Sequence, residues 1–383
     1  MAAEKTRKSG QPAIRLVGGS ERRIWGLDGK ERLRRSIGRA GFDVGADDTT
    51  NGVAILRSDY IYDESLIKAL LDQPGMALRD DSASAPQIVA AHVPPAAVAK
   101  MSRDDPDAAT RDASLKAVGS VELAGNYNSS LRKRAKPFLL PLEGTPRVVL
   151  EQATFSGAYK GATDFVTKFL WPWPARQVTR WCASLGITPN QVTFVSLLLV
   201  ILAFWLFWTG QFAFGLIAAW GMTFLDTVDG KLARVTLTST KLGEVFDHGI
   251  DMVHPPFWYW AWYVGLALSP GVVDSTWLMI SLWVIVAGYV LGRVEEGIFI
   301  ARFKIELHIW RPIDYWFRTI TARRNPNLAI LTVAVILNAP AEGFVAVAIW
   351  TVLSLLFHLV RIAQAFLTKA GGGAIRSWLT EPT

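Results

Sequence analysis

Four aspartates, Asp226, Asp229, Asp247 and Asp251, stand in a part of the chain that is otherwise strongly apolar. Charge beside or within hydrophobic helices is costly unless it is paired or bound to a cation. Asp226 and Asp229 are three residues apart and Asp247 and Asp251 four apart, so on helices each pair shares a face. Two such helices, packed antiparallel through the short turn between them, would bring the pairs together as one cluster of oxygen ligands. Hard divalent ions such as Mg²⁺ prefer that ligand set, while the single cysteine, Cys182, supplies no thiolate-rich site. Two ions would offset most of the negative charge and leave positions for phosphate oxygens, which makes a diphosphate the natural substrate. Gly230, Ala233 and Gly243 leave room for a nucleotide or pyrophosphate beside the helix backbones, although helix–helix packing favours small residues equally well.

The elements that must position these residues are membrane helices. The chain is 51% hydrophobic, and that average conceals two halves: charged and loop-rich before about residue 150, with long apolar runs such as Val192–Phe207 and Trp277–Leu291 after about residue 190. A hydrocarbon core about 30 Å thick needs roughly 20 residues of helix. On that scale six spans fall near 191–209, 212–234, 241–266, 275–300, 327–341 and 343–367, the fifth being short. The links 209–211, 268–275 and 338–343 contain no Lys or Arg, whereas Lys231, Arg234 and Lys241, the segment 302–326, and Lys369 and Arg376 carry the basic residues. This alternation predicts an integral, multi-pass membrane protein with the aspartates, both basic loops and both termini on the cytoplasmic side. It also accounts for the net charge of +7 without nucleic acid. Residues 151–190 read as an amphipathic juxtamembrane segment broken at Pro172 and Pro174, with Phe165, Phe169, Leu170, Trp171 and Trp173 beside Lys160, Lys168, Arg176 and Arg180. Several of the sixteen tryptophans, such as Trp205, Trp208, Trp220 and Trp277, suit interfacial belts.

Residues 1–150 predict a small cytoplasmic α/β domain. Ile14–Val17, Gly52–Leu56 and Gln87–His92 read as strands, and Glu31–Ala40 and Asp63–Leu71 as helices. The polar stretch 102–130 has room for a flexible surface segment within it, and the basic patch Arg132 to Lys136 reads as the start of the connection to a membrane domain at 191–370, with a tail at 371–383. Lys5, Arg7 and Lys8 are not followed by an apolar stretch, so no cleavable signal peptide is expected.

The residues from Asp226 to Asp251 match every fixed position of D-x2-D-G-x2-A-R-x8-G-x3-D-x3-D, the signature of CDP-alcohol phosphotransferases, and the chain resembles that family from about 155 to 370. Thr188-Pro189-Asn190 just before the first span is similar to the family too. The resemblance implies transfer of a substituted phosphate from a CDP-linked donor, CDP-diacylglycerol or a CDP-polyol, to an acceptor alcohol with release of CMP. It implies two Mg²⁺ or Mn²⁺ ions held by the four aspartates, Asp251 as the base for the acceptor hydroxyl, and a CDP site lined by Asp226, Asp229, Gly230, Ala233, Arg234 and Gly243. It further implies contact with membrane lipids and a homodimer. Arg293, Arg302 and Arg311, with Arg318, Arg323 and Arg324, are candidates for an acceptor phosphate, since guanidinium matches phosphate geometry, and topology explains the same charges. His248 and His254 fit a polar helix face near the site as well as they fit a role in it.

The order of parts resembles inositol-phosphate cytidylyltransferase/di-myo-inositol phosphate phosphate synthase fusions. Residues 58–63, Ser-Asp-Tyr-Ile-Tyr-Asp, resemble the acidic strand end of nucleotidyltransferases, where an aspartate assists metal binding. The glycine-rich G-x-G-x-R loop of those enzymes is missing, with only Val17-Gly18-Gly19-Ser20 in its place, so a degenerate, noncatalytic domain is expected. Two rivals stand beside this reading: a membrane scaffold or transporter that keeps the fold without turnover, and a bifunctional enzyme with an active cytidylyltransferase.

Overall fold

Apolar residues on both faces of short strands build the first unit. A computed structural model describes the chain except for residues 1–9, 46–47, 83–84, 240, 269–273 and 381–383 and the side chains of 241, 242, 244 and 246–248. The basic residues near the N-terminus and the side chains of Asp247 and His248 therefore lie outside the described residues. Contacts divide the chain into Met1–Ser130, Arg134–Tyr159 and Arg234–Thr238 on one hand, and Leu131–Lys133, Lys160–Ala233 and Ser239–Thr383 on the other.

The elements of the first unit run β1 (Ala13–Val17), α1 (Gly29–Ala40), β2 (Val53–Arg57), β3 (Tyr60–Tyr62), α2 (Glu64–Leu71), β4 (Met76–Asp80), β5 (Gln87–Val93), α3 (Pro106–Asp112), β6 (Lys116–Val118), α4 (Ser120–Ala124), β7 (Tyr127–Asn128), β8 (Lys133–Arg134, at the division), β9 (Leu139–Pro141) and α5 (Arg147–Gly157). Five strands form a sheet in the order β1-β2-β5-β4-β6. β1 runs parallel to β2 with Ala13 opposite Val53, β4 runs parallel to β6, and β5 is antiparallel to both its neighbours. Alternation splits each strand between two cores. Ile14, Ala54, Leu56 and Leu78 pack with Leu33 and Ile37 of α1 and Leu66 and Leu70 of α2, while Ala13, Val53, Ile55 and Ala77 pack with Ala109 of α3. Within the stretch 102–130, α3, β6, α4 and β7 are regular elements. Asp105 is an N-cap, its Oδ1 accepting from Ala108 N at 2.8 Å, and Pro106 occupies the first turn, the pairing that starts a helix. α5 belongs to the same unit through Trp25, whose Nε1 donates to Thr154 Oγ1 at 2.8 Å.

The second unit is helical: α6 (Pro172–Ser184), α7 (Pro189–Trp208), α8 (Phe212–Val235, ending in the first unit by contacts), α9 (Lys241–Ala267), α10 (Ser275–Phe303), α11 (Pro312–Phe317), α12 (Arg324–Ile336) and α13 (Pro340–Ala370). Among the described residues, α7, α8, α10 and α13 are long and apolar enough to cross a membrane. Their outer faces carry Phe194, Ile201, Trp205, Phe214, Ile217, Trp277 and Leu359 exposed, a surface that lipid tolerates and water does not. The chain is an integral membrane protein. α12, expected at 327–341, ends at Ile336 and is 13 residues long. Asn338 takes a left-handed φ of 53°, and Pro340 then starts α13.

Local chemistry sets these helices. Thr188 and Gln191 form a capping box at α7, with Pro189 in the first turn. Ala203, Phe207, Met222, Trp262, Ile285 and Phe344 share one core. Gly265 lets α9 meet the end of α7: a Cβ there would lie 2.0 Å from Phe207 O. Pro255 and Pro256 sit inside α9, where each removes a backbone donor. Tyr289 OH donates to Met252 O at 2.9 Å, restoring one bond that Pro256 cannot make.

Candidate functional site

Of Asp226, Asp229 and Asp251, Asp229 is the most enclosed. It is 3% exposed on α8, and its Oδ2 lies 2.7 Å from Thr193 Oγ1 of α7. Thr193 Oγ1 is also 3.0 Å from Pro189 O. A hydroxyl carries one proton, and the shorter contact to a charged oxygen takes it. The cap at Thr188 fixes where α7 begins, and so which residue faces Asp229.

Asp226, one turn earlier on α8, and Asp251 on α9 are joined by Arg324 at the first turn of α12. Its Nη1 donates to Asp251 Oδ1 and its Nη2 to Asp226 Oδ2. The side chains of Arg324 and Asp226 are mostly enclosed, whereas that of Asp251 is 38% exposed and open to an incoming molecule. Four helices, α7, α8, α9 and α12, therefore converge on three aspartates.

The start of α12 fastens this centre. Arg323 pairs with Glu296 of α10, Asn325 Nδ2 donates to Asp164 Oδ1 at 3.0 Å, and Asn327 Nδ2 donates to Tyr259 OH at 2.8 Å. Burial alone raises the Asp164 carboxyl, but hydrogen bonds from Thr167 N, at 3.0 Å, and from Asn325 hold it below the usual carboxylate range.

The other residues singled out from sequence divide. Gly230 and Ala233 are half-buried on α8, and Gly243 is half-buried on α9. Arg234 groups with the first unit, where its Nη1 donates to Ala158 O at 3.3 Å. The backbone of Asp247 continues α9 one turn before Asp251. Among the described residues, no group of three or more His, Cys, Asp or Glu side chains stands ready to hold a metal ion, since Asp229 turns to Thr193 while Asp226 and Asp251 turn to Arg324. His254 is buried and its Nδ1 lies 2.7 Å from Ile250 O, a contact within its own helix.

The three arginines named for an acceptor phosphate have separate surroundings. Arg293 lines a cavity with Gly292, Glu296, Arg323, Ser354 and His358. Arg302 lies against the Phe303 ring, and Arg311 sits 4.4 Å over Trp310 while its amide donates to Asp314 at 3.0 Å. Sequence reading missed Thr193, Glu296, His308, and the buried pair of Arg361 with Asp314, at 2.6 and 3.1 Å. Glu295-Glu296 within an apolar run was the visible signal for the cavity. Nothing of comparable strength marked Thr193.

In the first unit, Asp59 at the end of β2 is held by Arg57, with Nε at 3.0 Å and Nη2 at 2.6 Å. Gly18 (φ 67°) comes so close that a Cβ would sit 3.1 Å from Asp59 Oδ1.

A bundle of apolar helices that encloses a carboxylate centre defines a polytopic membrane protein with an acidic polar site. Residues 186–360 match the family model of CDP-alcohol phosphatidyltransferase. The chain is 43% identical over 79 residues to archaetidylinositol phosphate synthase of Pyrococcus horikoshii, covering 20% of this chain and 42% of that protein. It is 31% identical over 126 residues to cholinephosphotransferase 1 of Xenopus laevis, covering 30% of each, and 39% identical over 72 residues to ethanolaminephosphotransferase 1 of Mus musculus, covering 19% of this chain and 18% of that one. The chain thus spans less than half the length of these curated relatives.

Proposed function

We propose that the protein is a CDP-alcohol phosphotransferase that moves a substituted phosphate from a CDP-linked donor to an acceptor alcohol and releases CMP. The observation that carries this reading is the convergence of Asp226, Asp229 and Asp251 from α8 and α9 on one enclosed centre inside the matched domain. The donors there are carboxylate and hydroxyl oxygens, and a cation already bridges two of the carboxylates, so the residues fit a hard divalent ion. Asp226, Asp229, Asp247 and Asp251 would hold two Mg²⁺ or Mn²⁺ ions. The chemistry those ions supply is neutralisation of charge on the diphosphate.

Asp251, more open than Asp226 and Asp229, accepts the proton of the acceptor hydroxyl. The oxygen so freed bonds to the phosphorus remote from cytidine, and the bond from that phosphorus to the CMP oxygen breaks. Gly230, Ala233 and Gly243 leave the helix surfaces low enough for CDP, and Arg234 follows Ala233 in the same sequence motif. Six spans, a cytoplasmic site, cytoplasmic termini and a homodimer complete the reading. The names of the relatives support a lipid product with an inositol-phosphate, choline-phosphate or ethanolamine-phosphate type of headgroup. The first unit is read as a noncatalytic nucleotidyltransferase-like domain, because Val17-Gly18-Gly19-Ser20 stands where those enzymes carry a glycine-rich G-x-G-x-R loop.

The test is CMP release by purified protein from CDP-diacylglycerol and CDP-alcohols with a panel of acceptors, with products identified by mass. Release that requires Mg²⁺ or Mn²⁺ and vanishes in Asp251→Asn is expected. No release with any donor would instead favour a scaffold or transporter, and pyrophosphate release from CTP would favour an active cytidylyltransferase.

A further inference from the structure

Arg324 stands where local preference does not put it. A cation in the first turn of a helix faces the positive end of the helix dipole, so α12 itself gives no reason for an arginine there. The reason lies across the bundle. The two terminal nitrogens of one guanidinium go to carboxylates on two different helices, Nη1 to Asp251 and Nη2 to Asp226, and the arginine is mostly enclosed. Without a positive charge between them, those two acids would repel in a poorly solvated place.

The oxygens concerned, Asp226 Oδ2 and Asp251 Oδ1, are also ones that a divalent cation would take. Mg²⁺ binds oxygen at about 2.0–2.1 Å, and a doubly charged ion at that distance would face the guanidinium at close range, where like charges repel strongly. The guanidinium and the ion therefore compete for these two carboxylates. We infer that Arg324 is a positioning residue that acts as an internal competitor: it keeps the Asp226–Asp251 pair neutralised and together while no metal is bound, and it must give up these oxygens when a divalent ion binds, so that it sets the affinity of the site for the ion. This rests on the reading of the aspartates as cation ligands.

An arginine that merely supported the ligands would have the opposite signature, because its loss would loosen the site and weaken metal binding. Full-length protein in detergent is titrated with Mn²⁺ and followed by electron paramagnetic resonance, in parallel with thermal unfolding with and without Mg²⁺. Arg324→Gln binds Mn²⁺ about tenfold tighter than wild type, unfolds at lower temperature without metal, and gains more from added Mg²⁺. Arg324→Lys, a point charge that pairs with one carboxylate at a time, also binds Mn²⁺ tighter, by less. Equal or weaker Mn²⁺ binding by folded Arg324→Gln overturns the inference; if that variant does not fold, equal or weaker binding by Arg324→Lys does so. Asp229→Asn separates the two readings. If it binds Mn²⁺ as wild type does, the cation site itself fails and the competitor with it; if it loses Mn²⁺ while Arg324→Gln binds no tighter than wild type, only the competitor fails.

Discussion

Each unit neutralises carboxylates with arginine, but over very different distances along the chain. In the α/β unit, Asp59 is paired with Arg57 two residues away at the same strand end, with both side chains partly open to water. In the helical unit, Arg324 reaches Asp251 and Asp226 across 73 and 98 residues of sequence and is mostly enclosed. A local pair forms almost wherever the strand ends, and partly exposed pairs contribute little to stability. A distant enclosed pair exists only if three helices, α8, α9 and α12, meet correctly, so it reports on the fold and on the site together.

The largest effect that could break this contrast is catalytic. Asp251→Asn lowers CMP release by about a thousandfold, within the range for loss of a general base, whereas Asp59→Asn leaves the rate unchanged. Equal losses would mean that the two centres work as one. Next comes stability: Arg361 and Asp314 are both buried, and Arg361→Met strands the carboxylate at about 3–5 kcal/mol, read as a lower unfolding midpoint in detergent.

Acid separates the units further. Burial pushes the His92 imidazole below its usual value, only partly offset by its bond to Leu70 O, so the unfolded chain takes up a proton first. The stabilising effect of neutral His92 is complete above about pH 6.5 and declines as the pH falls toward the folded value. Asp164 has its folded value lowered, so its contribution persists to below the ordinary carboxylate range, near pH 4, and is lost as the pH falls through the folded value. Hydrogen exchange on full-length protein should therefore show the α/β unit opening at higher pH than the helical unit, and His92→Gln should narrow the gap. The smallest effect belongs to Arg57→Ala, expected below about 1 kcal/mol in unfolding of the α/β unit.

Much of this architecture was legible because its signals are local. Hydrophobic length marked the helices near their observed positions, and alternation marked β1, β2 and β5 within a residue or so. The aspartate spacing pointed to a carboxylate centre because i,i+3 and i,i+4 neighbours share a face whatever surrounds them. What escaped is non-local. Thr193 reads as one more polar residue in an apolar run until α7 is laid against α8, and Arg324 reads as a loop charge until α12 is turned toward α9. The Asp-Asp-Pro-Asp stretch shows the same limit on a smaller scale: composition suggests a loop, while the cap at Asp105 and the apolar face against the sheet start a helix.

The two prolines of α9 give the helix a mechanical division. Pro255 and Pro256 remove the amides that would have bonded the carbonyls of Asp251 and Met252, and Tyr289 replaces only the second of these bonds. Beyond them the helix is clamped, with Trp258 Nε1 on Val200 O at 3.0 Å and Trp262 Nε1 on Pro340 O at 3.3 Å. The helix's own hydrogen-bond ladder is therefore thinnest beside Asp251, so the position of this carboxylate depends more on its bonds to neighbouring helices than on the helix that carries it.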